Sequence, residues 1–315
     1  MVLAIDLGGT FFKYGLIDDE GKISNKGKVS TPQYTEGKTK EDFLSVIDSI
    51  MEKAKKSCPS IEGIAMSAPG IIDDTNGFMH TAGALVYLAG SCIGEELSKR
   101  YGCRVSVEND GKCAALAEFK EGALKGCVNC AVVILGTGVG GGIIIDGKLY
   151  RGRHGSAGEY SYVCENPCDA YNGKDSAFWA TSSGVLGLCN FLAELTGEKA
   201  NELNGEIIFS RVEKGDEKAC KALKKYTDIL AAHIFNLNIL LDLDAVAIGG
   251  GISANNLLME YLERSMNSFY NRPPMNLLGG NIPLPKLTVC AFRADANLLG
   301  AYYHYKFPLI QSKVL

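Results

Sequence analysis

Apolar positions fall along this chain in two periods, and the change from one to the other marks the elements. Val2-Leu3-Ala4-Ile5 is an unbroken apolar run of strand length, and Phe11-Phe12-Lys13-Tyr14-Gly15-Leu16-Ile17 follows closely. The pair predicts an antiparallel hairpin, after which Asp18-Asp19-Glu20-Gly21 supplies turn residues. A third strand is expected around Lys28-Val29-Ser30. Between residues 40 and 57, Phe43, Val46, Ile47, Ile50, Met51 and Ala54 recur at helical spacing, with charge on the opposite face. Ile64-Ala65-Met66 reads as a strand ending in the sharp loop Ser67-Ala68-Pro69-Gly70, and loop chemistry continues through Thr75-Asn76-Gly77 and Gly83. A helix is expected from Ile93 to Tyr101 and a strand from Arg104 to Val107. That strand ends in Glu108-Asn109-Asp110 and leads into the strong helix former Ala114-Ala115-Leu116-Ala117-Glu118.

The second half repeats the opening. A strand from Ala131 to Leu135 runs into Gly136-Thr137-Gly138-Val139-Gly140-Gly141-Gly142, then into the β-branched run Ile143-Ile144-Ile145 and the turn Asp146-Gly147. Both stretches read apolar strand, Gly/Thr tip, apolar strand, Gly turn containing Asp. That symmetry predicts an internal duplication, two related domains that each offer a hairpin tip to a shared ligand cleft. Residues 153 to 184 are irregular and polar. Helical patterns return across 184 to 196 and 217 to 240. Ala245-Val246-Ala247-Ile248 is a last buried strand ending in Gly249-Gly250-Gly251, with a helix from about Asn255 to Phe269 and a terminal helix from Leu298 to Tyr305.

Bulk properties narrow the class. A chain of 315 residues is long for one core, which favours two domains. With 46% hydrophobic and 22% charged residues it has the make-up of a globular protein. A net charge of −4 without any basic stretch gives no electrostatic case for nucleic acid or an anionic membrane. No apolar run approaches the length of a membrane span, and residue 2 already enters a strand where a signal peptide would have its charged region. A cytosolic location is expected. Eleven cysteines with no sign of secretion argue for reduced thiols. Cys127-Val128-Asn129-Cys130 has the CxxC spacing, but Cys130 opens an apolar run and no second CxxC follows, so neither a zinc nor a redox role is expected there.

The candidate chemistry starts at Ile5-Asp6-Leu7-Gly8-Gly9-Thr10. Glycines at a hairpin tip let backbone N–H groups approach an anion closely, above all phosphate. The Asp6 carboxylate would repel bare phosphate and makes sense beside a cation such as Mg2+. The second tip contains a GxGxxG spacing, yet a dinucleotide fingerprint needs a helix after its glycines, and a strand follows here. No P-loop is completed. Two such tips could grip different phosphates of one nucleotide. Asp110, at the carboxyl end of a strand, stands where open α/β sheets place ligand-facing groups. It is either a base or a helix cap. Strand, triple glycine and helix at Gly249 to Gly251 form a seat for a flat or anionic ligand.

Taken in order, these segments resemble the ROK family of sugar kinases, within the actin, hexokinase and heat-shock-70 ATPase superfamily. Asp6-Leu7-Gly8-Gly9-Thr10 is similar to its first phosphate motif and Leu135 to Gly142 to its second. Glu108-Asn109-Asp110 is similar to its catalytic segment, Ala157-Gly158-Glu159 to its sugar-binding loop, and Gly249-Gly250-Gly251 to its adenosine motif. The resemblance implies an α/β fold of two ribonuclease H-like, actin-like ATPase domains with a ligand cleft between them: residues 1–118, completed by a C-terminal helix over 297–311, and residues 119–296. It implies an ATP- and Mg2+-dependent transfer of the γ-phosphoryl group to a sugar 6-hydroxyl, with Asp110 as base. A helix N-terminus stabilises the carboxylate and weakens it as a ground-state base, which a loose transition state tolerates.

In that reading Asn109, Glu159, Tyr162, Gly70 and Gly83 belong to the sugar site. Asp6, Gly8, Gly9, Thr10, Lys13, Gly136, Thr137, Gly138, Gly250 and Gly251 belong to ATP, and Asp6 holds Mg2+ through water. Glu159 as a surface acid and Lys13 as a solvated hairpin residue are the plain alternatives.

Two departures matter. Tyr160, Ser161 and Tyr162 stand where many members have a hydrophobic residue, Gly and a zinc-ligating His, and Cys164 and Cys168 do not reproduce the family's Cys-rich zinc loop. No structural zinc is expected. The loop is similar to the β-glucoside kinase branch, which phosphorylates disaccharides such as cellobiose. N-acetylmannosamine kinase and glucokinase remain alternatives, as does a sugar-sensing protein without catalysis. The family's repressors carry an N-terminal helix-turn-helix, for which no room is expected ahead of the first strand. The resemblance implies a homodimer. His80 and His154 are assigned no role. Phe178 and Trp179 either stack on a second sugar or anchor their loop.

Overall fold

The computed structural model of the protein describes residues 1–278 and 282–307; residues 308–311 of the expected terminal helix lie outside the described residues. In chain order the strands are β1 (Val2–Leu7), β2 (Phe11–Ile17), β3 (Ile23–Ser30), β4 (Gly63–Ala68), the short β5 (Ile72–Asp73) and β6 (Phe78–Met79), β7 (Arg104–Asn109), β8 (Cys130–Leu135), β9 (Val139–Ile145), β10 (Lys148–Tyr150), β11 (Ala245–Gly249) and β12 (Lys286–Val289). The helices are α1 (Lys40–Ser57), α2 (Ile93–Tyr101), α3 (Asp110–Glu121), α4 (Pro167–Tyr171), α5 (Trp179–Ser183), α6 (Val185–Thr196), α7 (Gly205–Glu213), α8 (Glu217–Leu241), α9 (Asn256–Tyr270), α10 (Met275–Leu278) and α11 (Ala296–Lys306).

Two sheets share one topology. The first runs β3-β2-β1-β4-β7 and the second β10-β9-β8-β11-β12. In each, the central strand pairs antiparallel with its successor and parallel with a strand that returns through helices, and a further parallel strand closes the edge. The duplication read from the two Gly/Thr tips is therefore present in the strand order of both halves. All six residues of β1 are buried, as a central strand covered on both faces requires.

The described chain packs as two compact units. One comprises Met1–Gly122, Lys148–Ala157 and the chain from Ala294; the other comprises Ala123–Gly147 and Gly158–Arg293. The sequence reading kept 119–296 together, but Lys148–Ala157 packs with the first unit. Within that unit the guanidinium of Arg151, 6% exposed, takes its ion-pair partners from Glu108 and Asp74.

Helix α1 starts at a capping box in which Thr39 and Asp42 satisfy one another's backbone donors. Its Phe43, Ile47, Ile50, Met51 and Ala54 are buried, as their spacing predicts. Helix α11 crosses α3 at Gly300, where an added Cβ would lie 1.8 Å from the Cys113 carbonyl oxygen. The two helices meet backbone to backbone, which only glycine allows at that point. This contact matters because α3 begins at Asp110 and α11 carries Asn297.

Candidate functional site

In the first unit, the tip between β1 and β2 is braced from outside. Thr31 Oγ1 donates to the Gly8 carbonyl at 2.6 Å, Gln33 Nε2 to the Gly9 carbonyl at 2.7 Å, and the Thr31 N–H to the Thr10 carbonyl at 3.1 Å. At the end of β1, Asp6 is 5% exposed. Ser67 Oγ and Asn297 Nδ2 donate to its Oδ1 at 3.1 and 3.0 Å, and Lys13 Nζ stands 4.0 Å from Oδ2. Burial pushes the Asp6 carboxyl above its ordinary range, against the lowering effects of Asn297, Lys13 and Ser67.

Below the ordinary carboxylate range Asp6 is protonated folded and unfolded. As pH rises from that range through the raised folded value, the unfolded chain releases the proton first, so stability contributed by protonated Asp6 is lost. Asp6→Asn keeps an oxygen that can accept from Ser67 and Asn297 but carries no charge. The variant is expected to melt at or above wild type at neutral pH, with a flatter stability-versus-pH profile. Melting curves across pH check this; a destabilised variant with an unaltered pH profile contradicts it.

Strand β7 delivers Asn109 and helix α3 starts with Asp110. Asn109 is buried and caps the helix, its Oδ1 accepting from Lys112 N–H at 3.1 Å while its Nδ2 donates to the Gly70 carbonyl at 3.0 Å. The capping role that the sequence left open for Asp110 thus belongs to its neighbour. Asp110 is half-buried in the first turn, where its Oδ1 accepts from Gly111 N–H at 2.8 Å. Gly70 has φ of +101°, and a Cβ there would lie 2.1 Å from the Thr81 carbonyl oxygen. Gly83 approaches Pro69, so the Gly70 and Gly83 loops meet beside Asn109.

Behind this edge lies a buried polar network. Glu108 Oε1 accepts the Asn109 N–H at 2.7 Å, and Glu108 Oε2 receives Arg151 Nε. Arg151 Nη1 reaches Asp74, whose carboxylate also faces His304 Nε2 at 3.7 Å. Burial opposes ionisation of Asp74, but the bond to His304 and the Arg151 charge hold its carboxyl below the ordinary range. His80 and His154 line an adjoining cavity of about 330 Å³ with Asp74 and Arg151.

In the second unit, the tip between β8 and β9 is fixed by a Gly136 N–H bond to the Gly138 carbonyl at 3.0 Å and by Val185 N–H donating to the Gly136 carbonyl at 2.8 Å. Gly184 packs on the Thr137 carbonyl. Ser161 Oγ accepts from Val139 N–H at 3.1 Å and donates to the Val139 carbonyl at 3.0 Å, and a Cβ on Gly138 would lie 2.8 Å from it. The Glu159 segment and the second tip are therefore joined. Glu159 is half-buried, while Tyr162 is 65% exposed.

Gly250 has φ of +95° and packs on Leu135, where a Cβ would lie 2.1 Å from the carbonyl oxygen. A turn at Gly251–Ala254 separates β11 from α9, which Asn255 caps. Gly251 and Ile252 open onto a cavity of about 670 Å³ lined also by Asn204, Phe209 and Asn255. It offers an apolar ring and amide groups, a fit for a flat heteroaromatic base.

Sequence reasoning missed Ser67, Asn297, Thr31 and Gln33 around the first tip and Asn204 and Phe209 at this cavity. Polar residues spread over the chain carry no local signal. Among the described residues no cluster of three or more His, Cys, Asp or Glu could hold a metal ion. Burial pushes the thiols of Cys127 and Cys130 up, the latter to about 12, so both stay protonated at neutral pH.

The family model described as the ROK family matches residues 2–306. A β-glucoside kinase of Listeria innocua is 30% identical over 308 residues, spanning 96% of this chain and 97% of its own. Among solved structures, a ROK family protein of Streptococcus pneumoniae in complex with sucrose aligns at a TM-score of 0.81 and 29% identity, covering 97% of this chain and 98% of that one. A ROK family glucokinase of Streptomyces griseus in complex with glucose and AMPPNP aligns at a TM-score of 0.77 and 26% identity, covering 95% and 97%.

Proposed function

Because the chain belongs to the ROK family, we propose that it is an ATP-dependent sugar kinase that phosphorylates the 6-hydroxyl of a hexose or β-glucoside such as cellobiose, with Asp110 as the base. The observation that carries the proposal is the division of labour at the end of β7. Asn109 caps α3, so Asp110 is held in the first turn without being needed as the cap.

Asp110 accepts the hydroxyl proton as the phosphoryl group arrives, and Asn109 and Glu159 orient the remaining hydroxyls. The backbone at Gly8 to Thr10 and at Gly136 to Gly138 binds the phosphates, and the adenosine lies in the cavity beside Gly251. Asp6 fits a hydrated divalent cation: its carboxylate is buried with hydroxyl and amide donors, and among the described residues exposed Lys13, at 4.0 Å, is its ion-pair partner. When bound, Mg2+ supplies charge neutralisation at the phosphates. The named β-glucoside kinase and the sucrose complex among the relatives support a disaccharide.

Coupled ADP release on cellobiose, N-acetylmannosamine and glucose tests the reading. The highest kcat/KM is expected on cellobiose. Turnover of N-acetylmannosamine or glucose alone moves the substrate assignment; no turnover of any sugar, with sugar binding intact by calorimetry, leaves a non-catalytic sugar sensor.

A further inference from the structure

Beyond Glu159 the chain makes a long excursion, and one cluster of side chains secures its root. Glu165 N–H donates to the Ala177 carbonyl at 2.7 Å, Trp179 N–H to the Val163 carbonyl at 2.9 Å, and Cys164 bridges Phe178. This short ladder delivers the Trp179 indole into the core, where it is 1% exposed. One face lies on the His233 imidazole from α8, with ring centroids 4.0 Å apart and planes 13° from parallel. Tyr160, the residue after Glu159, is also buried, with its ring 5.2 Å from that of Trp179. Its hydroxyl donates to the Gly142 carbonyl at 3.4 Å.

A single carboxylate oxygen locks the stack. Glu165 Oε1 receives both Ser182 Oγ and His233 Nε2. Burial opposes charge on Glu165, yet the bonds to His233 and Ser182 hold its carboxyl below the ordinary range. Among the described residues the indole N–H of Trp179 has no hydrogen-bond partner. The ring is therefore not placed by its own polar atom but by the imidazole beneath it, and the imidazole is placed by Glu165.

We infer that Glu165 and His233 are positioning residues for sugar recognition: they clamp Trp179, and through its contact with Tyr160 they fix the backbone that carries Glu159. The inference rests on the sugar-kinase reading, in which Glu159 bonds non-reacting hydroxyls. Loosening such a group removes binding shared by ground state and transition state, so KM rises while kcat holds.

Trp179 is the only tryptophan in the chain, so its fluorescence reports on the clamp directly. The experiment measures steady-state kinetics and emission spectra for wild type, Glu165→Ala, His233→Ala and Glu165→Gln. In both alanine variants the sugar KM is expected to rise about tenfold or more, the scale of a small misplacement of a binding group. Trp179 emission moves to longer wavelength in the same variants. Glu165→Gln restores most of the sugar affinity, because its amide oxygen still accepts from Ser182 and His233. Saturating sugar changes the wild-type emission.

A folded Glu165→Ala enzyme with unchanged sugar KM overturns the inference, as does a higher KM with unaltered Trp179 emission. Should the alanine variants not fold, the wild-type titration decides: emission indifferent to sugar overturns it. If the wild type turns over no sugar, the kinase reading fails and this inference with it; turnover with indifferent variants removes the inference alone.

Discussion

Asp110→Asn is expected to lower kcat by about 10²–10⁴-fold, the usual worth of a positioned general base. Asparagine has the shape of aspartate and retains an oxygen to accept the Gly111 N–H, which Asp110 receives at 2.8 Å. The cap of α3 stays on Asn109. Folding and melting temperature should therefore hold near wild type, and so should the sugar KM. The change removes the carboxylate charge and with it the ability to take a proton. Coupled ADP release gives kcat and KM, and a thermal melt gives the control. A variant that keeps the full rate means Asp110 is not the base, whatever its place at the head of the helix.

The second large effect concerns the support behind that helix. Arg151→Met should destabilise the protein by about 3–5 kcal/mol, the cost of stripping a partner from a buried ion pair. Methionine fills much of the volume, but Glu108, 1% exposed, then loses its guanidinium, and among the described residues Asp74 keeps His304 as its ion-pair partner. Asp74 has its carboxyl held below the ordinary range, so its contribution is present above that range and lost as pH falls through the folded value. Acid unfolding of wild type should accordingly carry a component that is smaller in Arg151→Met, where His304 still holds the Asp74 carboxyl down. Denaturant titrations at neutral and acid pH measure both effects. Adding Glu108→Gln should recover part of the loss, because the amide needs no counter-charge and still offers an oxygen to the Asn109 N–H that Glu108 accepts at 2.7 Å. A loss below about 1 kcal/mol, the range of exposed pairs, is the outcome against this account.

Some of the site was legible in the chain because it is local. Glycines at Gly8, Gly70 and Gly250 stand where backbone meets backbone, Gly138 stands against the Ser161 side chain, and the flanking apolar runs announce the strands they join. The same holds for Asn109 and Asp110, which straddle the boundary between β7 and α3. Other partners were illegible. Asn297 is 291 residues from the Asp6 carboxylate it bonds, and Arg151 is 43 residues from Glu108. Their types are ordinary surface types, and nothing in the neighbouring sequence distinguishes them. The excursion after Glu159 shows the same limit. Trp179 read as a loop anchor ahead of a sugar platform, and its burial against His233 agrees with the anchor.

By itself, then, the sequence determined the main strands and helices, the internal duplication and the backbone motifs suited to phosphate, because each is written in residues within a few positions of one another. Only the tertiary structure decided which polar groups meet. Asp6 with Ser67 and Asn297, Arg151 with Glu108 and Asp74, and Glu165 with Ser182 and His233 are all long-range pairings. The physical reason is that desolvation makes such groups find partners, while the distance along the chain is set by the topology that folds between them.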